Sequence, residues 1–220
     1  EFEPDFCFNL HDQRTIYNVG DTTKPATVSF LSPAFNVNRD LSEARLKSMA
    51  LIHEMNIELQ KTIPGQVGRY DDSFNANCVG DTFQMLGTPT ILFEAGHFPK
   101  DYERERTREY IFRALVKAVH SLANSKLKEF SEELYFEIPE NQKCFFDILV
   151  KNVPSSDSLS RKDVGVLYTE VLRDGKISFI PKIEQEGKLV GFFGHETYDF
   201  LNPKDVSFLK KTNLHELLDL

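Results

Sequence analysis

Two short segments constrain this chain more than anything else in it: Phe6-Cys7-Phe8-Asn9-Leu10-His11-Asp12-Gln13 and Thr90-Ile91-Leu92-Phe93-Glu94-Ala95-Gly96-His97. Each is a brief apolar run with bulky residues at alternate positions, the pattern of a buried strand. Each ends on a group that chemistry can use, an imidazole at His11 and a carboxylate at Glu94. Open α/β sheets bind ligands outside the carboxyl ends of their strands. A histidine and a glutamate delivered to that edge suit a metal ligand and a general base. Long helical patterns between the runs make α/β the expected fold class.

Composition narrows the function. The formal net charge is −8 over 220 residues, which leaves no basic surface to neutralise phosphates and argues against nucleic acid and anionic membranes. No apolar run approaches the roughly 18–20 residues of a spanning helix. Cys7, Cys78 and Cys144 are odd in number and widely spaced, so they read as reduced thiols, with Cys7 in the core and the chain in the cytoplasm. The chain opens Glu-Phe-Glu-Pro, with no Met and no signal-peptide pattern. The natural start is expected upstream.

Along the chain, a polar loop over 12–25 leads to a strand at Ala26–Leu31. Asp40 is the expected N-cap of a helix over Leu41–Thr62, stopped by Pro64-Gly65, with Leu41, Ala44, Ser48, Leu51, Ile52, Met55 and Leu59 on one face. Residues 65–87 read as loop. After Glu94, Pro99 and Asp101 start a second helix reaching about Ser125, with Ile111, Leu115, Val119 and Leu122 as its apolar face. Near Lys126 the texture changes to short strands at Phe145–Val150, Val164–Leu172 and Lys176–Ile180, separated by turns at Pro154-Ser155-Ser156 and Asp174-Gly175. A short helix is expected after Asn213. The expected organisation is a domain over 1–125 and a small β-rich module over 126–220.

Most other histidines have plain readings. His53-Glu54 lacks the second histidine of a zinc H-E-x-x-H motif, because position 57 is Ile; both are expected on a solvated helix face. His120 reads as helix surface and His195-Glu196 as a Gly-flanked loop. The Glu/Arg run at 103–109 reads as a charged helix start in which Arg104 or Arg108 could hold an anion.

Residues 1–125 resemble the C-terminal half of the zinc carboxypeptidase family, the carboxypeptidase A-like metallopeptidases. Asn9-Leu10-His11-Asp12-Gln13 is similar to the strand that carries that family's third zinc ligand. Thr90-Ile91-Leu92-Phe93-Glu94 is similar to the strand that carries its catalytic glutamate, and Gly68-Arg69-Tyr70-Asp71-Asp72 lies where the family has a mobile substrate-capping tyrosine. The resemblance implies a partial three-layer α/β domain with a mixed sheet flanked by helices. It also implies His11 as a zinc ligand, Glu94 as the base that deprotonates a zinc-bound water, and Tyr70 as a substrate-binding residue. Arg14, three residues past His11, suits a bidentate grip on a substrate carboxylate on chemical grounds alone. Asp12 and His97 are candidate supports for these residues.

The departure is equally specific. The family's His-x-x-Glu zinc pair and its carboxylate-binding arginine lie upstream of the third ligand, and only ten residues precede His11. None of the six histidines is followed by Glu at the third place. One imidazole cannot hold zinc tightly, so the expectation is the C-terminal part of a larger enzyme whose zinc is not held by this chain alone. Its expected substrate is a peptide or an N-acyl amino acid. An aspartoacylase-like deacylase, and a non-catalytic binding module on a decayed peptidase fold, stay open beside the peptidase. With the Glu94 strand expected in the middle of its sheet, an unpaired edge would favour self-association.

Overall fold

In the computed structural model, which describes residues 3–124, 130–155 and 160–218, the chain is a mixed α/β protein of two units, Glu1–Lys143 and Cys144–Leu220. The expected boundary near Lys126, the end of the second helix at Ser125 and the Ser156 side of the predicted turn lie outside the described residues.

The first unit is built on β1 (Cys7–Asp12), β3 (Val28–Leu31), β4 (Val67–Arg69) and β5 (Thr90–Ala95), with a two-residue strand, β2 (Asn18–Val19), after the first. The sheet order is β1-β5-β3-β4; β1 is parallel to β5, β3 is antiparallel to β5, and β4 is parallel to β3. Strand alternation divides the sheet. Val28, Phe30, Ile91 and Phe93 point to one face and form the core with α1 (Glu43–Gln60) and α3 (Glu105–Ala123). Phe93 sits edge-on to both Phe8 and Phe30, with ring centroids 5.3 and 5.2 Å away, a favourable aromatic geometry. The residues between them, Glu94 among these, face the other way.

Both long helices start later than their sequence signals. Ser42 caps α1 instead of Asp40, its hydroxyl accepting from the Arg45 backbone N–H at 3.1 Å, which leaves Leu41 exposed ahead of the cap. Asp101 caps from a distance, its carboxylate accepting from the Thr107 N–H at 2.9 Å and hydroxyl at 3.1 Å. The buried stripe of α3 is Thr107, Tyr110, Ala114, Ala118 and Ser121, while Val119 is exposed. Small residues win that face because α1 packs against it closely. His53 and Glu54 are therefore half-buried and not on a solvated face, with Glu54 accepting from Lys117 of α3 at 2.6 Å.

Three elements stand where the sequence read as loop: the two-residue β2, β4 and α2 (Val79–Met85). A three-residue strand and a helix containing Gly80, Asp81, Thr82 and Gln84 offer no apolar period to detect. Residues 130–143 also belong to the first unit, not to the β-rich module. There α4 (Glu133–Phe136) inserts Tyr135 into the first core together with Ile138, and β6 (Asn141–Gln142) pairs antiparallel with β2.

The second unit is β-rich. Its sheet has the order β10-β7-β8-β9, formed by β7 (Phe145–Pro154), β8 (Arg161–Arg173), β9 (Lys176–Gly187) and β10 (Phe193–Asp199). Asp174 and Gly175, at φ 51° and 75°, make the tight β8–β9 turn. The helices α5 (Pro203–Leu209) and α6 (Leu214–Leu217) supply Leu209 and Leu214 to a core with Ile148, Val150, Val164 and Val166. His195 lies on β10, not in a loop, stacked 4.5 Å from the Phe145 ring. Cys7, Cys78 and Cys144 form no disulfide, and Cys7 is half-buried instead of core. Among the described residues no helix is long and apolar enough to cross a membrane.

Candidate functional site

The sheet register places four positions in one row. His11 of β1 pairs with Glu94 of β5, Glu94 with Ser29 of β3, and Ser29 with Gly68 of β4. Residues opposite each other on neighbouring strands share a face, so His11, Glu94 and Ser29 project together, away from the helical core. The two residues singled out from sequence are thus neighbours across a single strand pair.

Glu94 is the unusual member. It is 6% exposed, and its carboxyl group has no hydrogen-bond or ion-pair partner among the described residues. Buried carboxylates are ordinarily paired. Burial pushes the Glu94 carboxyl up to about 7, and the charge of Asp12, one residue beyond His11, pushes in the same direction. Glu94 therefore changes protonation near neutral pH, where a general base is most effective.

The remaining candidates separate by position. His11 is exposed at the end of β1. Tyr70 follows β4, and its backbone N–H donates to the Phe30 carbonyl at 2.9 Å. Its hydroxyl lies 3.0 Å from the hydroxyl of Tyr17. Burial, then that hydrogen bond, then nearby charge including Glu94 hold the Tyr70 phenol well above its ordinary pKa. Tyr70 and Glu94 thus share one electrostatic neighbourhood. Arg14 is exposed two residues past β1, with no ion pair among the described residues. His97 is buried against Tyr102, ring centroids 4.7 Å apart.

Three further groups support the site. Arg104 reaches across the ends of both site strands, donating to the carbonyls of Gly96 at 2.6 Å and Ala95 at 3.0 Å, and pairing with Asp12 at 3.4 Å. Its guanidinium is committed to the protein and is not a ready anion site. Asn141 of β6 lies over the open sheet face, donating to Ser29 Oγ at 2.8 Å; a Cβ on Gly68 would sit 1.9 Å from its Oδ1, so glycine there makes the room. Asp72 pairs with Arg45 and Arg39 and fixes the loop just after Tyr70. Of these only Arg104 had a cue, its place in a charged run beyond Glu94.

Gly96 keeps the strand exit close-packed. A Cβ there would lie 1.9 Å from the Ala26 carbonyl oxygen and 2.5 Å from Gln13 Nε2, and the first is backbone that cannot swing aside. Gly96→Ala is expected to destabilise the first unit by about 1–3 kcal/mol through overpacking, read as a lower urea midpoint with an unchanged slope.

Zinc needs three protein ligands even at a catalytic site. Among the described residues no group of three His, Cys, Asp or Glu side chains gathers to hold a metal. The donors at this edge therefore do not make a zinc site by themselves. Compared with family models, with curated proteins and with solved structures, the chain shows no significant match.

Proposed function

We propose that the first unit carries the catalytic carboxylate of a hydrolase acting on a peptide or amide bond, built on a partial zinc carboxypeptidase-like domain. The observation that carries this reading is Glu94: nearly buried, unpaired, and in register with His11 on the same face. In this reading Glu94 accepts a proton from the attacking water and returns it to the leaving nitrogen. Tyr70 contacts the substrate and Arg14 binds a terminal carboxylate. His11 would supply one imidazole nitrogen to a zinc ion, which would acidify the attacking water.

The test is turnover of N-acyl dipeptides with a free C-terminus against the same peptides capped as amides, each with added zinc and with a chelator. Cleavage that needs the free carboxylate and is lost on Glu94→Gln is expected. Cleavage unchanged by Glu94→Gln would overturn the assignment of the base.

A further inference from the structure

Tyr17 comes from the loop between β1 and β2, and Tyr70 from the end of β4, 53 residues away. Both backbones are fixed to the sheet: the Tyr17 carbonyl accepts from the Ala26 N–H, and the Tyr70 N–H donates to the Phe30 carbonyl, each at 2.9 Å. From those two anchors the side chains converge, with ring centroids 5.5 Å apart, planes tilted by 57° and hydroxyls 3.0 Å apart. Lys143 lies over the Tyr17 ring at 5.9 Å from its centroid, a weak cation–π contact at an exposed site.

The proton count of this pair gives it a use. Each phenol has one O–H and can accept as well as donate. One hydroxyl donates to the other, so the accepting hydroxyl keeps its own proton. Neither hydroxyl has a further hydrogen-bond partner among the described residues. One O–H donor is left over in the neighbourhood of Glu94.

We infer that Tyr17 is a positioning residue for the site: it holds Tyr70 by its hydroxyl, and the pair offers its spare O–H to a carbonyl or carboxylate oxygen of the bound acyl substrate. The substrate half of this inference rests on the hydrolase reading; the coupling of the two tyrosines does not.

The experiment uses the whole chain labelled with 13Cζ-tyrosine, its seven tyrosines assigned by single Phe variants. Tyr17→Phe removes one hydroxyl and keeps the ring. It is expected to move the Tyr70 resonance, and N-acetyl-phenylalanine is expected to shift Tyr70 in the wild type and much less in Tyr17→Phe. With a cleaved peptide, Tyr17→Phe is expected to raise KM about tenfold with kcat within about twofold. The double variant Tyr17→Phe/Tyr70→Phe is expected to be no worse than Tyr70→Phe, because both residues act through one contact. An unmoved Tyr70 resonance in Tyr17→Phe, no shift with N-acetyl-phenylalanine, or losses that simply multiply in the double variant would each overturn the inference. Both resonance shifts in a wild type that turns over no peptide would support the tyrosine pair as a binding device independently of the hydrolase reading.

Discussion

Glu94→Gln is expected to cut turnover by about 100- to 10,000-fold, the range of general acid–base catalysis, while making the protein more stable above neutral pH. Both effects follow from one observation. The carboxyl titrates at about 7 in the folded protein against an ordinary value of 4.5. Only the ionised form takes a proton, so activity is expected to rise as pH passes through about 7. Stability runs the other way. Between 4.5 and 7 the folded state holds a proton that the unfolded state has lost, so stability falls as pH rises through that window. The penalty above pH 7 is on the order of 3 kcal/mol, because each tenfold change in proton affinity between the two states corresponds to about 1.4 kcal/mol. Glutamine occupies nearly the same volume and cannot ionise. Urea midpoints of the two proteins should therefore agree near pH 4, with Glu94→Gln ahead at pH 8. Equal midpoints at pH 8 would show that the Glu94 carboxylate is not strained by burial, and would remove the main physical argument for its role.

What the sequence made legible, and what it hid, has a physical pattern. The segment carrying Glu94 was readable because an interior strand needs alternate bulky residues over six positions; the His11 segment showed the same alternation, but β1 is an edge strand with its last three residues exposed, not the buried strand its pattern suggested. The Asp174-Gly175 turn was readable because a two-residue hairpin needs positive φ. Register was not readable: nothing in either strand says that residue 11 stands opposite residue 94. That pairing is fixed by the whole sheet, including a β4 too short to detect. The supporting groups were hidden for a related reason. Asn141 bonds to Ser29 across 112 residues and Arg104 to the Gln13 carbonyl across 91. Such contacts follow from topology and leave no local period. Tyr135 and Ile138, which tie 130–143 to the first core, sit in a polar stretch with no repeat of its own, so nothing local marks where the first unit ends.

Asp72→Ala is expected to cost about 3 kcal/mol or more, since it strands the Arg45 guanidinium in the core. The Arg45 side chain is fully buried and that of Asp72 is 8% exposed. Arg45 also donates to the carbonyls of Arg39 at 2.6 Å and Asp40 at 3.3 Å, which partly satisfies the charge and places the cost at the low end of the range for a broken buried pair. The ion pair itself need not add stability, because two charges were desolvated to form it. Arg45→Met/Asp72→Leu is therefore expected to recover much of the loss that Asp72→Ala causes alone. Function should not recover with it. Asp72 is two residues past Tyr70 and, through Arg45 and Arg39, ties that loop to the start of α1. An apolar contact can fill the same volume without fixing the direction of the chain. The double variant should melt near the wild type while Tyr70 loses its hold on Tyr17, read as a displaced Tyr70 resonance and a raised KM for any peptide the protein cleaves. Full recovery of both stability and KM would show that the buried pair only fills space, and that the Tyr70 loop is positioned by its backbone bond to Phe30 alone.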